Sequence, residues 1–284
     1  MRDRIDAETK IREGIVVKLA FSSLGCPGWS YEQLLDEAAQ DGYAGLEIRG
    51  VGGEMRADKI DCFTIGRQQD ARRAAQARGV KLIGFGASSS FHDPANLESA
   101  LSDAFAAVDV AAALGMGFVR VFGDRIASED DEQAVIARVA AGIREVCRYA
   151  EGTGVAVLQE CHGNFNSAGR LLAVAERVNC KNYGILWDVA HSDRIYGDRY
   201  EEFYAAVRPL VRHVHFKDHV RGDGAYALCD TGAGDIPLIP ILRLLEKDGY
   251  SGYVSLEWEK TWHPELRDAR EELPHFVRYI REHM

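Results

Sequence analysis

Eight short apolar runs, most of them closing on a polar or charged residue, alternate along this chain with longer amphipathic stretches. The runs are Val16–Ser22, Gly45–Arg49, Val80–Phe85, Phe118–Phe122, Val155–Glu160, Tyr183–Asp188, Val211–Lys217 and Tyr253–Glu257. Continuous apolar runs of this length read as strands buried on both faces, which is the signature of a parallel sheet. Strands that alternate with helices pair in parallel through helical crossovers. Eight such units in 284 residues, with no linker between them, predict an α/β fold of one domain, a single (β/α)₈ TIM barrel. An open doubly wound sheet is the competing architecture. It would carry a Gly-rich first strand-to-helix turn, and Ser22-Ser-Leu-Gly-Cys-Pro-Gly28 lacks that pattern.

Local signals agree. Ser30-Tyr-Glu-Gln33 has capping-box spacing ahead of Leu34, Leu35 and Ala38. Leu101, Ala104, Phe105, Val108, Ala111 and Ala112 recur at helical spacing, as do Val135, Val139, Ile143, Val146 and Ala150. Gly79, Gly115, Gly152 and Gly249 stand where helices would stop before the next strand. The barrel is expected over residues 15–284. Residues 1–14 are charged throughout and have no apolar core, so they read as an N-terminal extension rather than a secretory signal.

Charge narrows the partners. Forty-four acids against 34 bases give a net charge of −10, the wrong sign for gripping a phosphate backbone or an anionic membrane surface. We expect no nucleic-acid partner and no membrane association. Six cysteines without a C-x-x-C pair read as buried or half-buried thiols in a reducing compartment, so a cytoplasmic location is expected. The sequence leaves a homo-oligomer open.

In a barrel of this kind function collects at the C-terminal ends of the strands. Glu47 and Arg49 close the second run, Glu160 and His162 the fifth, Asp188 and His191 the sixth, His215 and Lys217 the seventh, and Glu257 and Glu259 the eighth. Glu160, Asp188, His215 and Glu257 come from four consecutive strands, separated by 28, 27 and 42 residues. Consecutive strands set these groups side by side. So many acids in one mouth repel one another unless a cation joins them. Three carboxylates and one imidazole suit one hard divalent ion, Mn²⁺, Mg²⁺ or Co²⁺, with Zn²⁺ as a further choice.

Other residues have plainer alternatives. Lys217 either contacts substrate or pairs with Asp218 or Glu257. His162 lies on the same strand face as Glu160 and within reach of substrate. Glu47 either contacts substrate or forms a rim ion pair with Arg49. His213 is expected one layer down, packed. Gly232-Ala-Gly234 stands where barrels often hold phosphate, although Asp235 beside it reads as a helix cap.

The strings Val-Leu-Gln-Glu160-Cys-His-Gly, Leu-Trp-Asp188-Val-Ala-His191, His-Val-His215-Phe-Lys-Asp218 and Ser-Leu-Glu257-Trp-Glu resemble the sugar phosphate isomerase/epimerase group. This group lies in the xylose isomerase-like TIM barrel superfamily, with ketose 3-epimerases, inosose dehydratase and endonuclease IV. The resemblance covers about residues 15–284 and rests on the ordered set of four motifs. It implies that Glu160, Asp188, His215 and Glu257 hold the metal, with Mn²⁺ foremost. It further implies that Glu160 and Glu257 are the catalytic acid/base pair. His191 then contacts a substrate oxygen, and Arg221 stands where ketose 3-epimerases have a substrate-binding Arg. The implied reaction is isomerisation or epimerisation of a sugar or cyclitol, by proton abstraction α to a carbonyl through a metal-stabilised enediolate. Dehydration of a keto-cyclitol or keto-sugar, of the inosose or 3-dehydroshikimate type, is the alternative. Where ketose 3-epimerases carry a Glu six residues after the first ligand, this chain has Asn166. An endonuclease IV-like nuclease is a further alternative, but the Asp-x-His that branch needs is missing from Ala225–Asp230.

Overall fold

The computed structural model describes residues 17–222 and 226–284. The expected extension at 1–14 lies outside the described residues. Eight parallel strands close into a barrel: β1 (Lys18–Ser22), β2 (Gly45–Ile48), β3 (Lys81–Ser90), β4 (Phe118–Phe122), β5 (Ala156–Glu160), β6 (Tyr183–Asp188), β7 (Val211–Phe216) and β10 (Tyr253–Leu256). The order around the barrel is β1-β10-β7-β6-β5-β4-β3-β2, so the sequence-based fold holds.

Helices α1 (Tyr31–Asp41), α2 (Gln68–Ala77), α3 (Leu97–Leu114), α4 (Glu132–Tyr149), α5 (Ala168–Val178), α8 (Leu238–Lys247) and α9 (Ala269–His283) wrap the outside. The Ser30 hydroxyl caps α1, and Gln33 returns a side-chain oxygen to the Ser30 N–H, completing the capping box. Gly115 ends α3 in a left-handed conformation at φ 70°, which a residue with a Cβ adopts only under strain.

Three features go beyond eight simple units. β3 runs five residues past its expected end, to Ser90. The crossover from β6 to β7 contains two short helices, α6 (Val189–Tyr196) and α7 (Tyr200–Val207). After β7 the chain forms an antiparallel hairpin of β8 (Asp218–Arg221) and β9 (Tyr226–Cys229). The expected cap at Asp235 is also corrected: α8 starts at Leu238 behind Pro237, and the Asp235 carboxylate accepts the Arg221 backbone N–H at 2.7 Å.

Two cores result. The larger lies between barrel and helices. The smaller fills the floor of the barrel with Ala20, Ile83, Phe118, Leu158 and Leu186. Gly84 makes that floor packable, because a Cβ there would sit 2.3 Å from the Phe118 ring. Cys26, Cys147 and Cys161 are buried and Cys62, Cys180 and Cys229 half-buried, all as free thiols. No helix among the described residues is long and apolar enough to cross a membrane.

Candidate functional site

The pleat alternates side chains between barrel interior and helix layer, so residues two apart share a face. Above the apolar floor, β2 and β7 send Glu47, His213 and His215 inward, and β10 adds Ser255. His213 Nε2 lies 3.0 Å from Glu47 Oε2 and 3.0 Å from Ser255 Oγ, over the Phe118 ring. His213 is therefore packed one layer down, as expected.

At the C-terminal rim, Glu160, Asp188, His215 and Glu257 converge. Each offers one ligand atom, and these atoms lie within 4.8 Å of one another. Strand register brings this about: Asp188 pairs with His215, and Ser255, two residues before Glu257, pairs with His215 from the other side. Asp188 is used twice. Its Oδ1 accepts the His191 N–H and caps α6, which leaves Oδ2 for the rim. His215 is held from below, where its Nε2–H donates to Glu47 Oε2 at 2.9 Å. That leaves Nδ1 facing Glu257 Oε1 at 3.3 Å and Asp188 Oδ2 at 4.0 Å.

The donor set fits a cation. Glu160 Oε2, Asp188 Oδ2 and His215 Nδ1 are buried and receive no well-aligned hydrogen bond. Buried polar atoms with no more than an ionic neighbour, here Arg120, Lys217 and Glu257, are uncommon and leave ligand capacity unspent. Three carboxylate oxygens and one imidazole nitrogen are the donors of a hard divalent ion.

Side-chain cations balance part of this charge. Lys217 Nζ lies 2.8 Å from Asp188 Oδ2 and 2.7 Å from Glu257 Oε2, and it also meets Glu259. Arg120 Nε lies 3.1 Å from Glu160 Oε2. Burial pushes the Glu160 carboxyl up to about 7, against the pull of Arg120. Burial works in the same direction on Glu257, but His215 and Lys217 outweigh it and hold that carboxyl well below the carboxylate range. Burial would lower His215, yet Glu257 and Glu47 raise it.

His162 and His191 stand next to the cluster, ring centroids 4.3 Å apart. Burial lowers His191, helped by the Lys217 charge, and keeps the ring neutral. His162 Nδ1 faces Asp124 at 3.3 Å. Burial acts to lower this group too, but the Asp124 bond raises it. Both rings, with Glu160, Lys217 and Glu257, line a cavity of about 430 Å³.

Several expectations are corrected. Glu47 does not reach the cavity and makes no ion pair with Arg49; it is 1% exposed and bound to His213 and His215. It stands one residue before the end of β2, and its carboxylate is taken up by the two histidines of β7. Arg221 is not on the cavity wall either. It clamps Asp193 through Nε at 2.9 Å and Nη2 at 2.6 Å, and it reaches Asp198 at 2.9 Å, tying the hairpin to α6. Lys217 pairs with Glu257, one of its two expected ion partners, and also lines the cavity. The Gly232 and Gly234 N–H groups donate to Asp218 Oδ2 at 2.9 and 3.0 Å, so this loop is closed on its own carboxylate. Asn166, in place of the epimerase Glu, donates to the His191 carbonyl at 3.2 Å.

The structure adds residues that the motifs did not single out. Arg120, 2% exposed, lines the cavity from β4. A charge in the middle of Phe118-Val-Arg-Val-Phe122 was the available signal, because a buried guanidinium must face a partner or a ligand. Arg194 joins from the last turn of α6 and His263 from the loop after β10, neither of them at a strand end where the motifs lay. Of the tryptophans, Trp187 and Trp258 are core, and Trp262 stands at the mouth.

Comparison with known proteins agrees with the fold. A protein of Methanocaldococcus jannaschii, MJ1311, itself uncharacterized, is 27% identical over 135 residues, 45% of this chain. That match spans 43% of the relative, so the chain covers less than half the length of the curated protein it resembles. Solved structures share the fold. A probable 3-DHS dehydratase, AsbF, from Bacillus anthracis superposes with TM-score 0.76 at 16% identity, over 93% of this chain and 99% of that one. The 3-keto-D-glucoside 4-epimerase YcjR of E. coli gives 0.74 at 16% identity, over 94% and 99%. D-psicose 3-epimerase of Clostridium cellulolyticum gives 0.71 at 18% identity, over 94% and 99%. Residues 35–279 match the family described as xylose isomerase-like TIM barrel, and with a closed eight-strand barrel around them the chain belongs to that family.

Proposed function

We propose that the chain is a metal-dependent isomerase or epimerase acting on a carbonyl-bearing sugar or cyclitol. The observation that carries this reading is the convergence of Glu160, Asp188, His215 and Glu257 within 4.8 Å at the strand ends, beside a cavity. These four residues would hold the ion, Mn²⁺ first, with Mg²⁺, Co²⁺ and Zn²⁺ fitting the same donors. A divalent cation there polarises a carbonyl and stabilises the negative charge that develops on proton removal. Glu160 and Glu257 belong to the two outer strands of the four that form the cluster, β5 and β10. From there one carboxylate removes the proton α to the carbonyl and the other returns it. Return to the opposite face of the same carbon is epimerisation; return to the neighbouring carbon is isomerisation. His191 contacts a substrate oxygen through its unpartnered Nδ1.

Dehydration is the second reading, and the His162–His191 pair favours it. His162, which Asp124 draws toward the protonated form, stands beside neutral His191 and next to Glu160, where it can protonate a departing β-hydroxyl after the same first step. The fold likeness to a probable dehydratase is in keeping with this.

Deuterium exchange tests the shared step. Mn²⁺-loaded protein, freed of excess metal, is offered ketoses, inososes and keto-glycosides in D₂O. Deuterium is expected at the carbon α to the carbonyl, read by mass spectrometry, and the product separates epimerase, isomerase and dehydratase. A filled metal site without incorporation from any of these substrates would overturn the reading.

Glu47 has a role to test as well. A carboxylate behind a ligating imidazole fixes its tautomer and raises its basicity, and losing it costs roughly 10- to 100-fold in metal affinity. Glu47→Gln is expected to weaken Mn²⁺ binding by about that factor, measured by competition with a chelating dye. An unchanged Kd would remove Glu47 from the support of the metal.

A further inference from the structure

Resting on the proposed isomerase site, we infer that Arg49 and Arg120 form an oxyanion subsite, and that the substrate carries a carboxylate or a phosphate group. Both residues line the cavity that holds Glu160 and Glu257. Both are buried, Arg49 at 7% and Arg120 at 2% exposure. Arg120 faces Glu160 through Nε, while its Nη1 is buried without a hydrogen-bond partner. Arg49 is less satisfied still. Its Nη2 donates to Ser88 Oγ at 2.9 Å, its Nη1 has no partner, and among the described residues no carboxylate lies within ion-pair distance of it.

The nearby acids are otherwise engaged. Asp103 accepts the Ser88 N–H and the Ser89 hydroxyl, which fixes the long end of β3. Asp188, Glu257 and Glu259 all face Lys217 rather than Arg49.

The two side chains both approach Gly86. A Cβ at that position would lie 2.7 Å from Arg120 Nη2 and 3.0 Å from Arg49 Cδ, so both side chains pass over the bare glycine backbone as they stand. Burial, reinforced by the Arg120 charge, holds the Arg49 guanidinium down to about 10. Arg120 has Glu160 on one side, but the buried Arg49 charge has no carboxylate in ion-pair range and both groups keep an unspent Nη1, so an anion fits between the cavity and these donors. A sugar hydroxyl satisfies one donor and none of the charge. A carboxylate or phosphate satisfies both, and the planar fork of Arg matches either one in bidentate fashion.

Calorimetry on the Mn²⁺-loaded full chain tests this with three probes: quinate as a hydroxylated ring carboxylate, inorganic phosphate, and myo-inositol as an uncharged ring. Quinate or phosphate is expected to bind at least tenfold tighter than myo-inositol, and the tighter of the two identifies the anionic group. Arg49→Met should weaken that anion at least tenfold and leave Mn²⁺ affinity unchanged. Ser88→Ala, which frees the guanidinium without removing it, should weaken the anion severalfold and covers the case that Arg49→Met misfolds. Anions that bind no tighter than myo-inositol, or binding indifferent to both substitutions, would overturn the subsite. The two proposals fail separately. One equivalent of Mn²⁺ and deuterium exchange on an uncharged ketose, with anion binding that ignores Arg49, removes only the subsite. Arg49-dependent anion binding in a chain that takes up no metal removes only the isomerase reading.

Discussion

Glu257→Gln is expected to lower turnover by about 10³-fold or more while changing substrate affinity less than tenfold. The carboxamide keeps the shape and one donor oxygen, but it cannot accept a proton. Loss of a positioned acid or base typically removes about 10² to 10⁴ in rate, and each tenfold corresponds to about 1.4 kcal/mol of barrier. Glu257 would also bind the metal, so both functions fall together. The fold should survive, because Lys217 keeps Asp188 and Glu259 as partners and Glu47 still holds His215 from below. Metal content, kcat and KM measured on one preparation separate the causes. A full metal site with lost kcat and near-parental KM assigns the loss to proton transfer. Near-parental activity would show that Glu257 is not the acid/base.

Chelation should have the second largest effect. Removing divalent ions is expected to reduce activity to background, and one equivalent of Mn²⁺ per chain should restore it. Stability should follow the metal. Ligand at 100 times its Kd adds about 2.7 kcal/mol, which for a chain of this size is a rise of about 5 to 10 °C in Tm. The metal-free chain should stay folded, because Arg120, Lys217 and His215 already compensate part of the charge of the three acids. Two or three bound ions per chain would bring back the nuclease reading. Undiminished activity in chelator would end the metal-dependent one.

How far the site was legible follows from where its residues lie. His215 sits within a regular strand, Glu160 and Asp188 each close one, and Glu257 directly follows another. Period-two alternation and the spacing of βα units were enough to bring these four together on paper. His191 follows Asp188 by three residues on the first turn of α6, so its proximity was local too. The contacts of Arg221 and of the Gly232-Ala-Gly234 loop were not legible for one reason. Both lie in or beside the hairpin after β7, an insertion that no period announces, and its contacts with Asp193 and Asp218 exist only after folding. Glu47 failed by depth rather than by face. Alternation gave its direction into the barrel, but not whether it stood at the rim or beneath it.

The sequence by itself therefore determined the barrel, its strand order and the four groups at its mouth. Those follow from local hydrophobic periodicity and from the short range over which consecutive strands must pair. The tertiary structure decided what stands behind and beside them. Glu47 supports His215 across 168 residues of chain. Arg49 and Arg120 meet over Gly86, and the hairpin closes on α6. Each of these depends on the angular position of strands around a closed barrel and on the length of side chains reaching across it. A one-dimensional pattern carries neither quantity, because the distance between two strands is set by the closure of all eight.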